Sequence, residues 1–168
     1  MPLIILLLIW GVASPLWANS IMIPIRGYIG ENGCSVSAGS SNIVVNLGAV
    51  TVSQMSSHGQ SDLMPFDIWL EECGLAATTV KVKFSGTADS HSPSLFKVDE
   101  GGAQGVALEI LSHDLATMEP DIYGGSLALV ATPSGGVNLR FYARYKKIST
   151  VIEPGIATAL STFTLEYQ

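Results

Sequence analysis

Gly155-Ile156-Ala157-Thr158-Ala159-Leu160-Ser161-Thr162-Phe163-Thr164-Leu165-Glu166-Tyr167-Gln168 closes the chain and reads as a single β-strand. Side chains two apart in a strand share a face. Ala157, Ala159, Ser161, Phe163, Leu165 and Tyr167 therefore form one face, growing from small to large. Thr158, Leu160, Thr162, Thr164 and Glu166 form the other, which is mostly polar. Chain ends usually fray and carry polar residues. An end this apolar is expected to pack against something.

Working outward, the rest of the chain reads as more short strands separated by turn signals. Val137–Tyr145 alternates Leu139, Phe141, Ala143 and Tyr145 with Arg140, Tyr142 and Arg144, and Ser126–Ala131 precedes it across the turn Pro133-Ser134-Gly135-Gly136. Gly105–Leu111 follows the turn at Gly101-Gly102. Thr78–Phe84 places Lys81 and Lys83 on an outer face, and Phe66–Leu70 and Asn42–Leu47 are further candidates. No stretch has a convincing amphipathic helical period. Many short strands at this spacing predict an all-β sandwich.

Composition sets the class of partner. The chain has 168 residues, 48% hydrophobic and 13% charged, enough for one domain with a real core. A net charge of −6 argues against nucleic acid or an acidic membrane surface as partner. Arg140, Arg144, Lys146 and Lys147 form the one basic cluster, read here as a solvated strand face. His58, His91 and His113 stand far apart in polar surroundings and read as loop histidines. Asp89-Ser90-His91 holds the residue types of a catalytic triad, but neighbours in one loop cannot converge as a relay. Asp99 and Glu100 before two glycines read as a turn and not as a calcium loop. No nucleophile elbow, zinc-protease pair or phosphate loop is present. The chain is therefore expected not to be an enzyme and to need no metal or cofactor.

The N-terminal third points to export. Leu3–Trp10 is an unbroken apolar run too short to span a bilayer, followed by Gly11 and Pro15 and then by Ala18. Residues 1–18 thus read as a signal peptide, with cleavage after Ala18 or, by the small-residue rule, after Ala13. Cys34 and Cys73 are the only cysteines, and an exported chain with an even count usually pairs them. A bridge would close a loop of about 40 residues, contributing ~4 kcal/mol by loop-closure entropy. Two free buried thiols, or half a metal site, are the competing readings. Between these features Ile21, Ile23, Ile25, Gly27 and Ile29 alternate with Met22, Pro24, Arg26 and Tyr28. Pro24 suits an edge or an added strand better than a sheet interior. Gly27 interrupts the apolar row, as a bend or as a fit to a shallow place in a groove.

Both ends of the chain carry a resemblance. Ile25-Arg26-Gly27-Tyr28, Asn32-Gly33-Cys34-Ser35-Val36, Phe84–His91, Asn138–Arg144 and Thr162–Gln168 together resemble pilin subunits of the chaperone–usher pathway, and most nearly the minor tip adaptors of type 1 fimbriae. Tyr167 next to last and Gly155 fourteenth from the end match a motif of that family. The resemblance places the mature N-terminus near Asn19. It implies an incomplete immunoglobulin-like β-sandwich over residues 34–168, completed by a donor strand from another subunit, with residues 19–33 as a donor extension. Ile21, Ile23, Ile25, Gly27 and Ile29 would be the donor row. Gly155, Phe163, Leu165 and Tyr167 would belong to the strand bordering this chain's own groove and read by a chaperone. The implied partners are a periplasmic pilus chaperone, an outer-membrane usher and neighbouring pilins in a hetero-polymer. The implied destination is a fimbrium on the bacterial surface, reached through the periplasm. The alternatives are a major rod pilin, a small secreted carbohydrate-binding sandwich or tip adhesin, and a secreted β-sandwich enzyme. An adhesin of this pathway would need a lectin domain for which 168 residues leave no room.

Overall fold

The computed structural model describes residues 33–74, 76–132 and 135–168. The signal segment 1–18, the donor row Ile21, Ile23, Ile25, Gly27 and Ile29, and half of the turn 133–136 lie outside the described residues.

Two antiparallel sheets face each other. The first has the order β1-β2-β6-β4, with β1 at Ser35–Val36, β2 at Met64–Glu71, β4 at Val106–Ser112 and β6 at Val137–Lys147. The second has the order β5-β3-β7, with β3 at Thr79–Ser85, β5 at Leu127–Ala128 and β7 at Thr162–Tyr167. β2, β3, β4 and β6 fall where alternation placed them. The inward rows are Ile68 and Leu70 from β2, Val80, Val82 and Phe84 from β3, Ile110 from β4, and Val137, Leu139 and Phe141 from β6, in one buried cluster. Phe66, Phe84 and Phe141 meet at its centre, with ring centroids 5.1 to 6.1 Å apart. Offset and edge-to-face aromatic contacts of this kind contribute beyond their buried area. The fold is an all-β, immunoglobulin-like sandwich.

Cys34 and Cys73 are joined by a disulfide across the ends of neighbouring strands, beside the pair Ser35↔Glu71. Tyr167 stands over the same corner: its hydroxyl donates to the Cys34 carbonyl (2.9 Å), and its ring lies where a Cβ on Gly33 would come within 3.0 Å. The end of β7 is thereby fixed to the start of the domain, and the apolar terminal face is packed as its sequence requires.

Four local readings are corrected. A helix, α1, spans Val52–His58. Seven residues are too few to show a period, but the stop and start signals are present. Thr51 and Gln54 form a reciprocal capping box, and Gly59 ends the helix in the left-handed region at φ 74°. His58 is consequently on a helix end and not in a loop. The basic cluster is not simply solvated. Arg140 pairs with Asp67 (2.7 Å), while Arg144 and Lys146 hold Glu109 at 2.6 and 3.0 Å, and Glu109 is 2% exposed. Burial works to raise the Glu109 pKa, but Lys146 and Arg144 outweigh it and hold the carboxyl below its ordinary value. Ser126–Ala131 forms a ladder only at Leu127–Ala128. Finally, among the described residues Asn42–Leu47 and residues 155–161 are not in any strand ladder, a difference that defines the candidate site.

Candidate functional site

The burial pattern explains what these two segments are. Ile43, Val45 and Leu47 are half-buried while Val44 is 86% exposed. Ala157, Ala159 and Ser161 are half-buried while Leu160 is 85% exposed. Each segment keeps the two-residue alternation of a strand without the ladder that normally accompanies it. Among the described residues, no backbone hydrogen bond joins 42–50 to another extended segment.

A groove of about 620 Å³ lies between them. Residues 41–47 form one wall and residues 157–163 the other. The floor comes from Phe66 of β2, Phe84 of β3, Leu108 and Ile110 of β4, and Ala143 and Tyr145 of β6. Two of the three rings that centre the core, Phe66 and Phe84, are thus also at the base of the groove. Its described lining contains no His, Cys, Asp, Glu, Lys or Arg, so no acid–base pair or metal ligand set faces it.

The direction of the backbone groups along the second wall follows from pairing. Gln168 and Thr79 exchange both backbone hydrogen bonds, 2.9 and 3.1 Å. In an antiparallel strand such residues recur at every second position. Even-numbered residues of β7 therefore aim at β3, and odd-numbered ones aim at the open edge. The rule continues beyond the ladder. Ile156 and Thr158 give their carbonyls to Ala103 and Asp99 on the β3 side, whereas the Ala157 carbonyl accepts the Tyr145 hydroxyl at 2.6 Å on the groove side. Ala159, Ser161 and Phe163 consequently present N–H and C=O groups to the groove. An edge of this kind is a template for another strand.

Of the residues singled out from sequence, Phe163 lines the groove. Leu165 and Tyr167 continue its row but pack against the main core, with Tyr167 engaged at Cys34. Gly155 stands outside the groove lining. A Cβ there would come within 2.6 Å of the Ala103 nitrogen, and a Cβ on Gly102 would clash with the Ile156 carbonyl oxygen. These two glycines let two backbones cross, which anchors the start of the wall. Sequence reading did not assign the opposite wall, Ile43, Val45 and Leu47, or the floor residue Tyr145. The short β-branched run Asn42–Leu47 was the available signal.

Known proteins agree with this architecture. The family described as "Fimbrial protein" matches residues 23–168. The fimbrial-like protein YdeS of Escherichia coli K12 is 36% identical over 159 residues, covering 92% of this chain and 90% of the relative. The fimbrial subunit type 1 of Salmonella typhimurium is 33% identical over 150 residues, covering 85% and 80%. The P pilus rod subunit PapA superposes with a TM-score of 0.70 at 24% identity, covering 80% of this chain and 99% of that one. With a family match over nearly the whole length and relatives of 33 and 36% identity, the chain belongs to the fimbrial protein family as a structural pilin.

Proposed function

We propose that this pilin is a minor adaptor subunit whose groove accepts an extended strand, first from a periplasmic chaperone and then from the N-terminal extension of a neighbouring subunit. The observation that carries this reading is the groove itself: two walls with alternating burial, edge groups on Ala159, Ser161 and Phe163 with no backbone partner among the described residues, and an apolar floor. Strand addition draws affinity from ladder bonds and selectivity from alternate pockets. The chain carries a matching ligand pattern in Ile21, Ile23, Ile25, Gly27 and Ile29. Four buried isoleucines at ~1.5–3 kcal/mol each give ~6–12 kcal/mol, against ~5–15 kcal/mol for a whole domain. A strand in the groove is therefore comparable in weight to the fold. The usher and the chaperone as partners rest on the resemblance to chaperone–usher pilins, whereas export through the periplasm to the cell-surface fimbria follows from the family.

The adaptor role rests on the resemblance to minor tip subunits. A rod role is the second reading, favoured by the superposition on PapA. Copy number in purified fibres separates them: one or a few copies per fibre means adaptor, hundreds means rod.

The test of strand addition uses peptides of residues 19–33, wild type or Gly27→Val, competing for a chaperone-bound neighbouring subunit. In a strand of its own sheet, Gly27→Val should be mild or favourable. In a groove with a shallow pocket, valine overpacks at ~1–3 kcal/mol. The expected outcome is slower exchange for the variant peptide. In the intact protein, chaperone binding should be normal and incorporation into fibres blocked. Equal exchange rates would make Gly27 a bend only.

A further inference from the structure

Among the described residues, Tyr145 is the one floor residue of the groove whose side chain holds a backbone group of a wall. It projects inward from β6 in the row of Leu139, Phe141 and Ala143, and its hydroxyl reaches the second wall to donate to the Ala157 carbonyl at 2.6 Å. Its own backbone is locked by Ser61, which accepts from the Tyr145 amide at its hydroxyl oxygen and donates its own amide to the Tyr145 carbonyl, both at 2.9 Å. Behind it lies a second small core of Met55, Val98 and Val106, against which Tyr145 and Ala157 both pack. Burial pushes the phenol pKa up, so the hydroxyl stays protonated and donating.

Ala157 is odd-numbered, so its carbonyl points to the same open edge as those of Ala159, Ser161 and Phe163. It is the next acceptor in that row, and it is already taken. We propose that the Tyr145 hydroxyl is the end stop of the groove, fixing the register of an incoming strand by withholding the Ala157 carbonyl from its ladder. The occupant is an extended segment with the alternating apolar pattern of residues 19–33, from a neighbouring subunit. This rests on the strand-accepting reading of the groove. Because a ladder can slip only in steps of two residues without turning its apolar row outward, a fixed last bond selects one register from a small set.

The experiment uses the full chain refolded with excess isotopically labelled peptide of residues 19–33, and reads hydrogen exchange at each peptide amide together with the dissociation rate. Tyr145→Phe removes only the hydroxyl. In the wild-type chain, protection should stop with the amide bonded to Ala159. In Tyr145→Phe it should extend by one further bonded amide, and dissociation should slow about two- to tenfold, the worth of one net hydrogen bond. A second measurement needs no variant protein: a series of singly N-methylated peptides on the wild-type chain should tolerate a methyl at the amide that would face Ala157 and at none of the three facing Ala159, Ser161 and Phe163. A protected set and dissociation rate identical in the two chains, or a methyl not tolerated opposite Ala157, would overturn the end stop while leaving the groove reading intact. Absence of peptide protection in either chain would remove the groove reading and the end stop with it.

Discussion

β3 and the segment 42–47 are both short, rich in β-branched residues and alternating in burial, but their surroundings differ. β3 lies between β5 and β7, with hydrogen-bonded partners on both sides, and Val80, Val82 and Phe84 are at most 4% exposed. Ile43, Val45 and Leu47 face the same core, remain half-buried and have no ladder among the described residues. Residues 157–161 repeat the contrast inside one continuous stretch, since β7 begins only at Thr162. Alternation therefore decides which face turns inward, whereas a ladder requires a neighbour. Where the first is present without the second among the described residues, the segment borders the groove proposed to accept a strand.

The contrast is broken or sharpened most strongly at two phenylalanines. Phe141 is fully buried in the main core between the paired sheets, and Phe163 is half-buried on the groove wall. Phe141→Ala should cost about 3–5 kcal/mol, read from the urea midpoint, whether or not a strand peptide is bound. Phe163→Ala should cost less in the empty domain and show most of its effect on peptide affinity, about 1.5–3 kcal/mol for a side chain buried on strand addition. Equal losses with and without peptide at both positions would mean that the wall belongs to the domain's own core.

A smaller effect comes from the paired sheet's buried charge. Glu109 sits directly across the ladder from Arg144 and accepts from Arg144, Lys146 and Thr117. Glu109→Gln should cost about 1.5–3 kcal/mol at neutral pH, the range for hydrogen bonds to charged groups. Its folded pKa is held below the ordinary value. Its contribution is therefore present above the unfolded value of about 4.3 and is lost as pH falls through the folded one. Urea midpoints of wild type and Glu109→Gln should differ by a constant amount from neutral pH down to about 4.3 and converge below it. A gap that widens in acid would show that the cations do not stabilise the ionised carboxylate.

Much of this was legible from residues. Val80-Lys81-Val82-Lys83-Phe84 and Phe66–Leu70 declare their inner faces by type, because burial discriminates sharply between Val or Phe and Lys. Phe163 could be assigned to a groove edge through the family motif. Gly155 could not be given its role, because the backbone that crosses it, Gly102-Ala103, is distant in sequence. Tyr145 was visible only as one more inward residue. Its hydroxyl partner Ala157 is identified by the fold alone. Glu109 carries no mark of its role in sequence, since its cations arrive from β6. α1 escaped because seven residues with one buried Met55 have no period, although Thr51, Gln54 and Gly59 mark both ends.

The smallest expected effect tests the outward side of the wall. Leu160 is 85% exposed between two inward residues, Ala159 and Ser161. A leucine so placed contributes almost no burial to the domain, and threonine has at least as good a strand preference. Leu160→Thr should therefore change stability by no more than about 0.5 kcal/mol. Because its backbone groups, at an even position, point toward β3 and away from the groove, the substitution should also leave peptide exchange rates unchanged. Exchange kinetics with the 19–33 peptide and urea midpoints together check both statements. If exchange slows while stability holds, the incoming partner must contact the outer surface of the wall as well as its edge. The division between an inward recognising face and an inert outward one would then fail at Leu160.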